Sequence, residues 1–319
     1  MSSADLEVIK DYSGRDYRTV WHGSRASFED RFERKLIEKM LPSDGGWFID
    51  VGAGFGRLYP LYVAEGRKIV MVDYAMNSLD EAARSLGADN DVYFVAANAY
   101  RLPFRSGSFD GGLSIRTFHH MAHPQRFLNE FARVLCSGSH ALLEYSNKRN
   151  LLRMLRYGRR SFRMDHEEYG DLLFGTHPAY FAELATSAGL AVAHSRGTGF
   201  LSRLVTERTR FAVPLLAAAE SALDAVFGSC GLAPMNFADI RVGGGGRTPD
   251  SGASARGLAD MLQCPACGSA VVEGTEGGMR CASCERLYPK VGAVLDFRYV
   301  GRLEGNRTSG ETGGSGSLQ

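Results

Sequence analysis

The 319-residue chain has almost no excess charge of either sign, with 37 Lys and Arg against 36 Asp and Glu. A general attraction to nucleic acid or to an anionic surface is therefore excluded, and any such partner must be met by a local patch. Long apolar runs are missing as well. The best candidate, 211–227, is broken by Pro214, Glu220 and Asp224, so no transmembrane segment is expected. The opening residues 1–7 lack the basic and apolar regions of an export signal, and the expectation is a soluble, cytoplasmic protein. Cysteine is scarce. Four of the six stand in paired C-x-x-C form, which in a reducing compartment points to metal rather than disulfides; Cys136 and Cys230 are left as expected buried packing residues.

What is present begins with residues 47–57. Residues 47–51 read as a short buried strand ending next to Gly52, Gly54 and Gly56, and the three alternate glycines dictate a tight turn that brings bare backbone against a ligand. That is the ligand corner of a doubly wound α/β sheet. A dinucleotide site needs G-x-G-x-x-G, whereas here the third glycine comes one position early and Arg57 fills its slot, which argues against NAD. With 44% hydrophobic residues the chain can bury one large α/β core and still carry a small second module.

Upstream, an aromatic lead of Tyr12, Tyr17, Trp21 and His22 is either a surface arm or a flap over the ligand. A helix follows from about Ser27, its predicted N-cap, with Phe28, Phe32, Leu36, Ile37 and Met40 on the apolar face. Downstream, the pattern predicts helices over 58–65, 77–86, 124–135, 178–188 and 200–228. It predicts strands over 68–73, 92–97, 108–115, 140–145, 190–195 and 235–242, the last antiparallel, with a turn at 136–139. Asp73 ends the second strand 21 residues beyond Gly52, where a carboxylate can take two ribose hydroxyls. The fourth strand ends at the same sheet edge as the glycine turn, so Arg116, His119 and His120 are candidates to face the reaction; packing or capping is the alternative for the histidines.

The acid-x-G-x-G-x-G order from Asp50 to Gly56 resembles motif I of class I S-adenosylmethionine-dependent methyltransferases. Arg101-Leu102-Pro103-Phe104 resembles the turn of small-molecule enzymes of the ubiquinone and menaquinone biosynthesis type. The resemblance is specific over about 45–147 and looser to about 243. It implies a Rossmann-like seven-stranded sheet over 1–243, with an insertion at about 148–175, and S-adenosylmethionine as cofactor. In it Asp50 sits beneath the turn, Gly52, Ala53, Gly54 and Gly56 line the methionine end, Asp73 takes the ribose, and Tyr74, Asn98 and Ala99 border the adenine. Two positions depart from the family: Asn98 stands where an acid is common, and Cys136-Ser137-Gly138-Ser139 where Pro-Gly-Gly is usual.

The insertion is rich in arginine. Arg149, Arg153, Arg156 and Arg160 would share one helix side, suited to an anionic or lipid-like substrate or to RNA phosphate, unless Asp165, Glu167, Glu168 and Asp171 simply balance it. A Gly- and Ser-rich linker is expected over 244–260. Beyond it, Cys264-x-x-Cys267 and Cys281-x-x-Cys284, 13 residues apart, suit a closed tetrahedral structural Zn2+ site in a small module over 261–299. This module resembles the zinc-ribbon activators of methyltransferases acting on RNA and translation factors. Residues 300–319 read as a disordered tail. The expected activity is methyl transfer to a small-molecule acceptor. An RNA or protein methyltransferase and a non-catalytic cofactor-binding scaffold are the alternatives, and the sequence leaves the oligomeric state open.

Overall fold

The computed structural model describes residues 9–14, 17–41, 46–64, 66–87, 91–243, 257–274 and 277–298. Residues 244–256 of the expected linker over 244–260 and the expected tail over 300–319 lie outside them. The strands are β1 (Gly46–Val51), β2 (Arg67–Asp73), β3 (Val92–Ala96), β4 (Phe109–Ser114), β5 (Leu135–Ser146), β6 (His166–Glu168), β7 (Phe174–Thr176), β8 (Leu190–Thr198), β9 (Met235–Val242), β10 (Val271–Glu273), β11 (Met279–Cys281), β12 (Leu287–Tyr288), β13 (Lys290–Val291) and β14 (Val294–Asp296). The helices are α1 (Ser24–Met40), α2 (Tyr59–Tyr62), α3 (Met76–Leu86), α4 (Pro124–Val134), α5 (Leu151–Tyr157), α6 (Pro178–Ser187), α7 (Val213–Phe227) and α8 (Leu258–Met261).

Among the described residues the main sheet has nine strands, in the order β13-β14-β3-β2-β1-β4-β5-β9-β8. Strands β3, β2, β1, β4 and β5 run parallel, and β9 is antiparallel to both β5 and β8. Side chains alternate strictly across β1. Trp47, Ile49 and Val51 join one core with Val70, Val72, Val95 and the phenylalanines of α4, while Phe48 joins the other with Ile69, Met71, Phe94 and Leu36, Ile37 and Met40 of α1; Phe28 and Phe32 pack instead with Val205 and Ala217.

The expected seven strands are all present, and the two extra ones come from the cysteine-bearing segment. β14 pairs parallel with β3, Leu295 opposite Val95, and the Phe297 amide donates to the Ala96 carbonyl at 2.7 Å. An edge strand left open would present unpaired amides, and this hairpin satisfies them. Met261, Leu262, Tyr288, Leu295 and Phe297 are buried in the same core as Trp47 and Phe104, so the module is packed against the sheet. Residues 258–260 of the expected linker instead form α8 together with Met261, and Leu262 bridges to Phe104.

Several other expectations need correction. Gly23, not Ser27, precedes α1, and the Ser27 hydroxyl donates back to the Gly23 carbonyl. The helix after the glycine turn is a single turn, Tyr59–Tyr62. Residues 136–139 form a bulge within β5, where Gly138 takes φ +77°. The 200–228 stretch is two 3-10 turns followed by α7, which begins with Pro214 in its first turn. Cys136 is buried as expected, but Cys230 is exposed. No helix among the described residues is long and apolar enough to cross a membrane.

Phe297 stacks on Tyr288 at 4.5 Å between ring centroids and is almost wholly buried. Phe297→Ala should lower global stability by about 3 kcal/mol in urea unfolding. A loss under about 1 kcal/mol would show that the C-terminal module is not part of the cooperative core.

Candidate cofactor cavity and four-cysteine cluster

The end of β1 is tied to the end of β2 by main-chain hydrogen bonds. The amides of Gly52 and Ala53 donate to the Val72 carbonyl at 2.7 and 3.0 Å, and the Gly54 amide donates to Asp73 Oδ2 at 2.8 Å. Gly52 has φ +84°, and a Cβ there would lie 1.8 Å from Thr117 Oγ1, so the position excludes any side chain. Asp50 lies buried beneath this turn and accepts from the Tyr62 hydroxyl at 2.7 Å. Burial pushes its carboxyl up to about 7 against that hydrogen bond, and the nearby Asp73 adds to the rise.

Above the turn opens a cavity of about 1020 Å³, counting its mouth to solvent. It is lined by Asp50, Gly52, Ala53, Gly54, Asp73, Tyr74, Asn98, Ala99, Arg116 and His120 among the sequence-predicted residues, but not by Gly56 or His119. Gly56 sits behind, where a Cβ would press on Leu86. The Asp73 carboxylate also accepts from the Ala75 amide at 2.8 Å; burial raises its pKa, and the backbone donors oppose the rise. With the Tyr74 amide as a third backbone donor, much of this carboxylate's acceptor capacity of roughly four lone-pair directions is already used by the backbone. Asn98 Oδ1 accepts from the Tyr100 amide at 2.9 Å, closing its own loop.

One wall was not foreseen. Trp21 packs against the guanidiniums of Arg57, 3.6 Å from its ring centroid, and of Arg116, 5.1 Å away. Both arginines pair with the fully buried Glu33 of α1, Arg57 also with Asp30 and Arg116 with Glu29. The Trp21 indole N–H is buried with no hydrogen-bond partner among the described residues, an unspent donor on the cavity wall. The sequence signal was Glu33 itself, an acid beside Phe32 on the buried side of α1.

The aromatic lead covers the cavity: Ile9, Lys10 and Tyr12 line it. Lys10 pairs with Asp171 at 2.5 Å, tying the lead to the β6–β7 hairpin of the insertion. His120 joins both pieces. Its Nδ1 must donate to the Leu172 carbonyl at 3.0 Å, which leaves Nε2 to accept from the Tyr12 hydroxyl at 3.0 Å. Burial, helped by the neighbouring His119, lowers the His120 pKa to about 3, so the ring is neutral. His119 instead turns toward Glu144, 3.8 Å away.

The four sulfurs of Cys264, Cys267, Cys281 and Cys284 lie within 4.8 Å of one another. Cys264 and Cys284 are 3.7 Å apart and Cys267 and Cys281 3.4 Å. A tetrahedron with bonds of about 2.3 Å to zinc has edges of about 3.8 Å, so the set fits that ion. The module also reaches the cavity wall: Arg298, held by Asp296, donates to the Tyr74 carbonyl at 3.2 Å.

The strand order and the cavity at the carboxyl ends of β1, β2, β3 and β4 define a doubly wound α/β sheet with its cleft where the strand order switches. A family model described as "Methyltransferase domain" matches residues 49–143, which hold the glycine turn, Asp73 and the histidine pair. The chain is 31% identical over 104 residues to a demethylmenaquinone methyltransferase of Clavibacter sepedonicus, covering 33% of this chain and 42% of that one. It is 31% identical over 114 residues to the O-methyltransferase resE of Aspergillus sclerotiorum, covering 34% and 43%. The matched regions thus span less than half the length of these curated relatives. A solved structure from Thermotoga maritima, described as a SAM-dependent methyltransferase and possible histamine N-methyltransferase, superposes with TM-score 0.51 at 18% identity, over 70% of this chain and 93% of that one. At that identity the likeness establishes the shared fold.

Asp50 yields a pH prediction. Its folded pKa lies above the unfolded value near 3.8, so the stability it contributes is present at low pH and lost as pH rises toward about 7. Thermal melting of wild type should therefore fall relative to Asp50→Asn between pH 5 and pH 8. A constant difference across that window would show that Asp50 does not titrate there.

Proposed function

We propose that the protein is an S-adenosylmethionine-dependent methyltransferase acting on a small, largely apolar acceptor. The observation that carries this reading is the glycine turn hooked onto Asp73 beside a cavity, within the segment matched by the methyltransferase family model. When bound, the cofactor supplies an electrophilic methyl on a sulfonium, so the chain's task is chiefly to hold an acceptor in line with it. Such positioning can supply ~7 kcal/mol or more of the barrier. Asp73 offers its remaining lone pairs to the ribose hydroxyls, Tyr74, Asn98 and Ala99 border the adenine, and Gly52, Ala53 and Gly54 line the methionine end. The unpartnered indole N–H of Trp21 is suited to an oxygen of the bound molecules.

Tyr12 and His120 stand at the acceptor end of this reading. An imidazole whose pKa is about 3 is a poor proton sink at neutral pH, so His120 orients the Tyr12 hydroxyl rather than storing a proton. Apolar and aromatic lining by Ile9, Phe55, Leu58, Ile115 and Met121 supports a hydrophobic acceptor, and the O-methyltransferase and demethylmenaquinone relatives agree with one. We read the four cysteines as holding a structural Zn2+, closed to catalysis because all four positions are thiolates. Burial of Leu262, Tyr288 and Phe297 against the core supports a bracing role for this module over a landing surface for RNA or protein.

Calorimetric titration with S-adenosylmethionine should give saturable binding that weakens at least about tenfold in Asp73→Asn, which keeps the side-chain shape while removing the charge. Labelled methyl should then pass to a hydrophobic hydroxylated acceptor in a panel of small molecules. Absence of binding would contradict the reading, and binding without transfer to any acceptor would favour the non-catalytic scaffold.

Replacing Cys264 and Cys281 by Ser should release zinc by elemental analysis and weaken cofactor binding severalfold, because Arg298 reaches Tyr74 through β14. Unchanged metal content would reject the metal site, and lost metal with unchanged cofactor affinity would reject the coupling.

A further inference from the structure

We propose that residues 148–164 form a docking surface for an anionic phospholipid bilayer. This segment holds seven Lys and Arg and no acid. Helix α5 buries none of its residues. Leu151, Leu152 and Leu155 on that helix are exposed, Leu155 to 77%, and so are Phe162 and Met164 just beyond it. Isolated exposed apolar side chains are ordinary, but five within fourteen residues on a short element with no core of its own call for a cover.

The charges around them are only partly balanced. Lys148 is buried against Asp165 and Glu167, Arg160 pairs with Glu167, and Arg163 with Asp165. Of the other nearby acids, Asp171 is taken by Lys10 and Glu168 accepts from the Leu172 amide. Arg149, Arg156 and Arg159 make no ion pair among the described residues, and Arg203 adds a further cation beside Leu152 and Arg156.

Aliphatic side chains interleaved with free guanidiniums match the interface of a bilayer, where acyl chains take the leucines and anionic headgroups the arginines. RNA would use the arginines but offers nothing for Leu151, Leu152, Leu155 and Met164. A second copy of the chain would bring like charges face to face in a two-fold pairing. The surface also connects to the cavity roof: Arg153 stacks 3.5 Å from the Tyr169 ring centroid, and Tyr169 belongs to the hairpin turn whose Leu172 carbonyl holds His120. A membrane-dissolved acceptor would therefore reach the cavity from the surface on which it resides.

The test is co-sedimentation of the full chain, without cofactor, with mixed phosphatidylglycerol–phosphatidylcholine vesicles and with phosphatidylcholine vesicles. Because no cofactor is present, its failure is separable from failure of the methyltransferase reading. The anionic vesicles should retain the protein, added salt should release it, and Arg156→Glu with Arg159→Glu should weaken retention at least about tenfold. Leu151→Ser with Leu155→Ser should weaken it comparably, and unchanged melting of both exposed double variants would show the fold intact. The proposal is overturned by no retention on either vesicle, by equal retention on neutral ones, or by insensitivity to both double variants. Salt-sensitive capture on RNA without vesicle binding, or a dimer dissolved by the leucine variants, overturns it as well.

Discussion

The hydrogen bond from the Gly54 amide to the Asp73 carboxylate is the constraint on which the site depends. It joins the turn after β1 to the last residue of β2, so the two strand ends cannot separate and the cavity between them keeps its floor. The bond needs a bare backbone, since Gly52, Gly54 and Gly56 all take positive φ and a side chain at Gly52 would strike Thr117. It also needs a carboxylate at low solvent exposure, where a charge-assisted hydrogen bond is stronger than in water. Asp50 beneath the turn then carries a cost, because a second buried carboxyl near the first ionises reluctantly.

Around this floor the walls come from distant parts of the chain. The lead brings Tyr12 and Trp21, while Glu29 and Glu33 of α1 hold Arg116, and Leu172 and Asp171 of the insertion hold His120 and Lys10. The Trp21 wall is held by arginines already neutralised by α1, so it presents an aromatic face and one indole donor with little net charge. The C-terminal module closes the opposite side by completing the sheet edge at β3 and touching Tyr74 through Arg298. Cavity floor, cavity roof and four-cysteine module are therefore parts of one packed unit.

Local pattern carried much of this. The alternation in β1 and β2, the helical stripe of α1 and the glycine spacing each depend on neighbours a few residues apart, and they are legible in the sequence for that reason. The four-cysteine cluster was legible from spacing alone, because few other chemistries use thiols in that arrangement. What was not legible is long-range. Nothing local in Val294-Leu295-Asp296 says that it will pair with β3, and Glu33 shows its role only when Arg57 and Arg116 arrive from other elements. The two histidines were found together by their loop, but only the fold separates them, turning His120 into the cavity roof and His119 toward Glu144.

A crystal structure of the protein soaked with S-adenosylhomocysteine tests the central claim most directly. The account predicts the ribose hydroxyls on Asp73, the adenine between Tyr74 and the Asn98 loop, and the amino-acid end over Gly52 and Gly54. Ligand density elsewhere, or a cavity still closed by Tyr12 and Trp21 at saturating ligand, would contradict it.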